Sequence, residues 1–432
     1  MGMMNQDQAI GVGLLGCGVV GGGVAELLLR NRDAYAHRVG KPVVLKAIAV
    51  RDPSRDRGLP PELFVSDPAA VIDDPEIALI VEVMGGVSPA RELIMRALEL
   101  GKSVVTANKE VLAKHGREIF EAAQKGGGAV YFEAAVAGGI PLIMPLQRGL
   151  AANSLASVQG IINGTTNYIL TRMAKEGSTF DDALADAQKL GYAEADPTSD
   201  VEGHDAAYKL SLLASLLFGE HVDTEAVPRE GISGIMPQDL TYARELGYVV
   251  KLLGIAKRAG EGLEARVHPT MIPVDHPLAR IDGVTNAVTV HGDAVGEVTF
   301  SGPGAGRGPT ASAVVGDLLN VASLLDTPDR MMACLQSRTV SPMPLDEVDS
   351  AFYLRLQAKD VPGVLGAVGT CFGTHRVSVR SFVQHPAEGG HAELVIVTHR
   401  VREASFRAAV REIAEMPGIR AISNVIHVEE QA

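Results

Sequence analysis

The stretch Ile10-Gly11-Val12-Gly13-Leu14-Leu15-Gly16-Cys17-Gly18-Val19-Val20-Gly21 decides the fold. A short apolar run ends in the pattern Gly-x-Gly-x-x-Gly, and Val24, Leu27 and Leu28 then continue at helical spacing. Glycines between a strand and a helix have separate uses. The first permits the tight turn, the second lets backbone approach a pyrophosphate, and the third lets helix pack on strand. The helix start then offers free N–H groups and a positive dipole end to phosphate. The motif alone is weak in a chain with 47 glycines. Its strand–turn–helix setting makes it a dinucleotide site through Gly16, Gly18, Val19, Val20 and Gly21.

Working outward, residues 43–50 (VVLKAIAV), 78–84 (ALIVEVM), 103–106 (SVVT) and the run AVYFEAAV from 129 read as further buried strands. Helical stretches fall between them, from Pro89 to about Leu100 and onward to about Lys125. Strands alternating with helices imply crossover units and a parallel sheet. Residues 1–147 are therefore expected to form an α/β domain of the Rossmann type, a doubly wound parallel sheet. The second strand ends Val50-Arg51-Asp52. An acid there would bind the ribose hydroxyl of NAD, whereas Arg51, with Arg55 and Arg57 behind it, suits the 2′-phosphate of NADP. Both cofactors stay open.

The composition is compatible with a large core. Of 432 residues, 46% are apolar and 21% charged, and Trp is absent, so small aliphatic residues must fill the interior. A net charge of −13 disfavours nucleic acid and anionic membranes as partners. Three isolated cysteines, Cys17, Cys334 and Cys371, make neither a disulfide framework nor a zinc motif, and fit a reducing cytoplasm. No apolar run reaches the roughly 18 residues of a membrane span. The polar start Met1–Gln8 lacks a secretory signature.

From about 150 the pattern changes. A strand is expected at 155–162, helices near 166–176, 180–190 and 205–218, and strands near 264–272, 284–291 and 295–300. Residues 148–305 thus read as a mixed α/β domain, which the resemblance described below makes the substrate-binding and dimerisation domain. A largely apolar helix at about 306–326 should return to complete the first domain. Residues 327–350 look like a linker, and 351–432 follow the order βαββαβ.

The densest polar stretch runs from Gly191 through Glu194, Asp196, Asp200, Glu202 and Asp205 to Lys209. Asp205 and Lys209 are four apart, so they share a helix face. A solvated loop with a structural ion pair, or a reactive pair, would both fit that spacing.

At this stretch the chain resembles the homoserine dehydrogenase family. The pattern Ala187-x-x-x-Gly191-Tyr192-Ala193, then Asp196-Pro197-x-x-Asp200-Val201-x-Gly203-x-Asp205-x-x-x-Lys209, is similar to the family signature. So are Thr106-Ala107-Asn108-Lys109, Phe132–Pro141, Gly160–Asn167 and Gly302–Gly306 followed by Pro309-Thr310-Ala311. Asp360-Val361-Pro362-Gly363-Val364-Leu365 resembles the first turn of an ACT regulatory domain.

The resemblance implies interconversion of L-homoserine and L-aspartate 4-semialdehyde, in threonine, methionine and isoleucine biosynthesis. It makes Lys209 the proton donor and acceptor, with Asp205 and Lys109 beside it. Gly191, Glu194 and Asp205 would bind substrate. Arg51, Thr106, Lys109 and Gly306 would join the glycine loop in holding the cofactor. Glu133, Val136, Gly138 and Ile140 resemble a sodium site, one carboxylate plus backbone carbonyls. The ACT domain would bind an amino-acid effector such as threonine, and the enzyme would be a homodimer or homotetramer. Two other readings remain: a dehydrogenase of another small amino-acid aldehyde, and a non-catalytic cofactor-binding sensor.

Overall fold

The computed structural model describes residues 9–260, 262–325, 339–387 and 389–429. Met1–Gln8, Cys334 and residues 327–338 of the expected linker lie outside the described residues.

The chain opens with β1 (Ile10–Leu15), α1 (Val19–Arg30), α2 (Arg32–Val39), β2 (Val43–Ala49), β3 (Phe64–Val65) and α3 (Pro68–Asp73). There follow β4 (Ile77–Glu82), α4 (Ala90–Glu99), β5 (Ser103–Thr106), α5 (Lys109–Gly126), β6 (Val130–Tyr131) and α6 (Glu133–Ala137). The middle of the chain carries β7 (Leu155–Ile161), α7 (Gly164–Glu176), α8 (Phe180–Lys189), α9 (Thr198–Val201), α10 (His204–Phe218), β8 (His221–Val222) and α11 (Pro237–Glu245). Then come β9 (Tyr248–Ala259), β10 (Gly262–Pro273), β11 (Thr285–Gly292), β12 (Gly296–Pro303), α12 (Arg307–Leu324) and β13 (Thr339–Val340). The last part is β14 (Asp349–Lys359), α13 (Val364–Thr374), β15 (Val379–Ala387), β16 (His391–Thr398), β17 (Val401–Arg402), α14 (Glu403–Ala414) and β18 (Ile419–Val428).

These elements divide into two compact units: residues 1–156, 208–224 and 290–340, and residues 157–207, 225–289 and 341–432. The first holds a six-stranded sheet in the order β3-β2-β1-β4-β5-β6, parallel throughout. Its strands are apolar on both faces, as a sheet covered by helices requires. Val12, Leu14, Ile48, Leu79, Val81 and Val105 pack with Val24 and Leu28 of α1 and with Val314 and Leu318 of α12. The helix expected at 306–326 thus completes this core. Strand order reverses between β1 and β4, the topological switch point where sheets of this kind bind dinucleotides.

One strand reading needs correction. The run from 129 stays extended only for Val130 and Tyr131, and Glu133 opens α6. The Glu133 N–H donates to the buried Asp317 carboxylate at 2.8 Å, and the Ala135 N–H to the Phe132 carbonyl at 2.9 Å. These bonds turn a stretch of small residues away from the sheet.

In the second unit the strands lie in the order β11-β7-β9-β10-β18-β14-β16-β15. Strand β9 has no counterpart among the sequence-based expectations. It pairs antiparallel with β10 along its whole length, from Tyr248↔Pro273 to Ala259↔Gly262. The last residues fold as β14-α13-β15-β16-α14-β18 around Phe352, Leu354, Phe372, Ile396 and Phe406. That is the expected βαββαβ order, with the short β17 added. Strand β18 also pairs parallel with β10 at Thr270↔His427 and Met271↔Val428, so one sheet runs through both parts of this unit.

Candidate active site

The glycine loop shows the tight turn and the close helix packing expected of it. Gly16 has φ +97°, the left-handed region that favours glycine. A Cβ on Gly21 would lie 2.2 Å from the Gly16 carbonyl oxygen, so α1 can pack here only as glycine. A Cβ on Gly18 would meet nothing within 4 Å. That glycine is not required by the protein's own packing, and its exposed backbone leaves room for a ligand. Helix α1 starts at the exposed Val19 with no side-chain cap and no acid in its first turn, and Val20 follows half-buried. Its first N–H groups therefore keep their attraction for an anion.

Basic groups act on the same loop. The Cys17 thiol is held above its ordinary value by burial, and the charges of Arg57 and Arg307 oppose that rise. Arg307, in the first turn of α12 beside Gly306, was missed from the sequence; its only signal was its position after the Gly302–Gly306 segment. Gly306 itself caps α12 with φ +114°. Arg51 is exposed. Asp52 accepts from the Ser54 N–H at 3.0 Å and the Ser54 hydroxyl at 2.6 Å, bonds that lower its pKa. The carboxylate is thereby committed to its own turn.

At the ends of β4 and β5, Thr106 is fully buried and donates its hydroxyl to Glu82 at 2.6 Å. Glu82 also accepts from the Met84 N–H at 2.7 Å, and burial raises its pKa. The sequence reading gave Glu82 no role. The structure makes it the anchor of the loop after β4. Thr106 in turn accepts from the Asn108 N–H at 2.9 Å, and Asn108 caps α5 through Val111. Lys109 is thus the first residue of a firmly capped helix, half-buried. Further along α5, the Lys114 ammonium lies 5.6 Å from the centre of the Tyr208 ring. Helix α5 and the second turn of α10, which carries Lys209, are therefore neighbours.

The acidic stretch is not uniformly solvated. Glu194 and Asp196 are exposed, Asp200 is half-buried, and Asp205 is 4% exposed. Asp196 is committed to a turn, accepting from the Thr198 N–H and hydroxyl. Gly191 takes φ +75° after α8, and the Thr165 hydroxyl holds the next residue by its Tyr192 carbonyl at 2.7 Å. Gln188 reaches the Glu194 carbonyl at 3.1 Å, so the loop is pinned by main-chain contacts while the Glu194 carboxylate stays exposed.

A third residue to which the sequence reading gave no role is Asn163. Its amide nitrogen donates to Asp200 at 2.7 Å and to Asp205 at 2.9 Å. Its amide oxygen accepts from the Thr166 N–H at 2.9 Å and the Thr166 hydroxyl at 3.0 Å, capping α7. One buried amide thus fixes the direction of two carboxylates. Asp205 stands in the first turn of α10, where the helix dipole favours a negative charge. Lys209 is half-buried one turn later on the same helix face.

The Glu133 carboxylate differs from its sequence-based role. It accepts from the N–H groups of Leu142, Ile143 and Met144 at 2.5, 2.6 and 3.0 Å. Val136, Gly138 and Ile140 form the tight turn behind it, where a Cβ on Gly138 would lie 2.1 Å from the Gly304 oxygen. Asp317 is also buried nearby, and burial together with the Glu133 charge pushes its pKa well up.

Comparison with known proteins accounts for nearly the whole chain. Residues 16–133 match the model of the homoserine dehydrogenase NAD-binding domain, 141–319 the homoserine dehydrogenase model, and 352–418 the ACT domain. The homoserine dehydrogenase of Synechocystis sp. is 48% identical over 96% of this chain and 99% of its own length. That of Neisseria gonorrhoeae is 43% identical over 97% and 98%. A crystal structure of a homoserine dehydrogenase from Thiobacillus denitrificans is similar with a TM-score of 0.92, 44% identity and 98% of each chain covered.

Proposed function

This chain belongs to the homoserine dehydrogenase family, and from that premise we propose how its residues divide the work. It is an oxidoreductase with an NAD(P)-binding domain and an ACT domain. The family match does not favour the two other readings, a sensor or a dehydrogenase of another aldehyde.

A bound nicotinamide would supply or take the hydride at C4 of the substrate. The open backbone at Gly18, the uncapped start of α1 and the charge of Arg307 fit its pyrophosphate. We assign NADP as the preferred form. Arg51 and Arg57 follow the end of β2, the strand whose end meets the adenosine ribose in folds of this kind, and Asp52 is spent on Ser54. Thr106, Lys109 and Gly306 complete the cofactor side.

In oxidation, Lys209 takes the proton of the substrate hydroxyl. In reduction it returns that proton as charge develops on the oxygen. Asp205, aimed by Asn163, orients the hydroxyl and Lys209. Glu194 and the Gly191 backbone receive the amino-acid end, with a free carboxylate for the ammonium. Lys109 adds positive charge on the cofactor side of the reaction. The buried amide linking Asp200 and Asp205 is the observation that carries this reading, because solvated loop acids need no such holder. In the test, the protein oxidises L-homoserine, with kcat/KM higher for NADP than for NAD. Turnover of another amino alcohol in preference to homoserine would refute the substrate assignment, and preference for NAD the cofactor assignment.

The buried Glu133 and Asp317 also favour a structural monovalent cation, sodium, beside them. Its ligands would be main-chain carbonyls of Glu133, Val136, Gly138 and Ile140, since the carboxylate is occupied. Exchange of sodium for a bulky organic cation should then lower thermal stability.

The ACT domain has a cleft of about 280 Å³ at the turn from β14 to α13, lined by Lys359, Asp360, Gly363 and Gln384 among others. Asp360 is held by Gln384 at 3.1 Å and suits the ammonium of a free amino acid such as threonine. Threonine should inhibit homoserine oxidation, and Asp360→Ala should relieve it.

We place the enzyme in the cytoplasm, as a homodimer or homotetramer. Cys17 and Cys371 are both free thiols, as a reducing compartment allows. Among the described residues no helix is long and apolar enough to cross a membrane.

A further inference from the structure

The ACT domain carries a cluster of unlike donor side chains away from its cleft. Cys371 lies on the inner face of α13, 3% exposed, among Val368, Phe372, Phe406 and Ile413. One turn on, His375 caps α13, its N–H bonded to the Cys371 carbonyl at 3.1 Å. Glu412 faces the pair from α14, with Oε2 2.7 Å from His375 Nε2. The thiol donates to the Ala409 carbonyl at 3.6 Å, one turn before Glu412 on α14. Sulfur, imidazole nitrogen and carboxylate oxygen all lie within 4.8 Å of one another.

We propose that Cys371, His375 and Glu412 form a binding site for a divalent cation of the zinc class, with water as the fourth ligand. The donor set is the argument. Thiolate, imidazole and carboxylate are the three ligand types that zinc takes from proteins. Two of them stand four residues apart on one helix, and the third comes from the helix packed against it. Around a tetrahedral ion, ligand atoms are separated by roughly 3.3–3.8 Å, which follows from the usual bond lengths. The existing separations, 2.7 Å between His375 and Glu412 and no more than 4.8 Å among all three, bracket that range. A surface ion pair between His375 and Glu412 would explain those two residues. It gives no reason for a core thiol whose sulfur lies within 4.8 Å of both of them.

Charge balance supports the site. A thiolate and a carboxylate together neutralise a divalent ion. Without the ion, burial and the Glu412 charge push the Cys371 thiol up to about 11, so it stays protonated. Binding forms the sulfur–metal bond, releases the thiol proton to solvent and breaks the His375–Glu412 hydrogen bond. The ion then ties α13 to α14. Because α13 begins at the effector cleft and ends at the cluster, occupancy would stiffen the helix that borders the cleft.

Cobalt(II) titrated into the chelator-treated full chain provides the test. A thiolate-to-cobalt charge-transfer band should grow to one equivalent per chain, and zinc should abolish it. Cys371→Ser should lose the band. His375→Ala and Glu412→Gln, at partly exposed positions that the fold tolerates, should weaken binding at least tenfold. Metal-free homoserine turnover should be unchanged in His375→Ala. Absence of the band in the wild type would overturn the proposal. So would a band that persists in Cys371→Ser, which would place the metal at Cys17 or Cys334, or wild-type affinity in His375→Ala.

Discussion

The glycine loop and the Asn163 network prepare for ligands in opposite ways. Around Gly16–Gly21 the protein removes side chains. A missing Cβ makes the turn, another leaves backbone open, and the third admits the helix. Around Asn163 the protein concentrates side chains, and one amide makes four hydrogen bonds to lock two carboxylates. The first region fails when atoms are added. The second fails when donors are lost.

That contrast sets the order of effects. Among variants of these two regions, Asn163→Ala should cost the most, lowering kcat for homoserine about 100-fold, the scale of a misplacement of about 1 Å at a reacting group. It should also remove about 1 kcal/mol of helix capping. Asn163→Ser restores a cap but cannot span both carboxylates. Stability should therefore recover while kcat stays low, as denaturant unfolding and steady-state kinetics would show. If both recover together, Asn163 is only a cap.

Gly21→Ala comes next. The added Cβ meets backbone oxygen, so unfolding free energy should fall by about 1–3 kcal/mol, the usual range for overpacking. Gly18→Ala should leave the melting temperature nearly unchanged, because nothing in the protein lies within 4 Å of the new methyl. Its dissociation constant for NADPH should rise roughly tenfold, the equivalent of about 1.4 kcal/mol. A Gly18→Ala protein that melts early but binds cofactor normally would invert the comparison. The smallest effect concerns the second basic group. Arg57→Ala should narrow the preference for NADP over NAD by several-fold in kcat/KM and leave NAD turnover in place.

The two regions also differ in how far their sequences revealed them. The glycine loop is local, and each requirement falls within six residues of a strand end. The role of Asn163 depends on partners 37 and 42 residues away, and nothing local signals that one amide will meet both. Strand β9 was missed because its apolar run has no two-residue alternation. It is buried on both faces for most of its length, so period could not separate it from a buried helix. Glu133 was read as an ion ligand through the family resemblance alone, since its own neighbours read as a strand end. The three N–H donors that claim its carboxylate come from residues 142–144, at the start of the helical stretch 143–149, which the sequence reading did not foresee. The short helix α6 was read as strand for a similar reason, since the Asp317 that turns it lies 184 residues away.

The central claim is that Lys209 moves the proton while the cofactor is held elsewhere. The most direct measurement is homoserine oxidation by Lys209→Ala, with NADPH affinity determined on the same preparation. The variant should bind NADPH as the wild type does and turn over about 10²–10⁴-fold more slowly, the usual contribution of a positioned acid–base group. Turnover within a few-fold of wild type, or a loss explained by failure to bind NADPH, would contradict it.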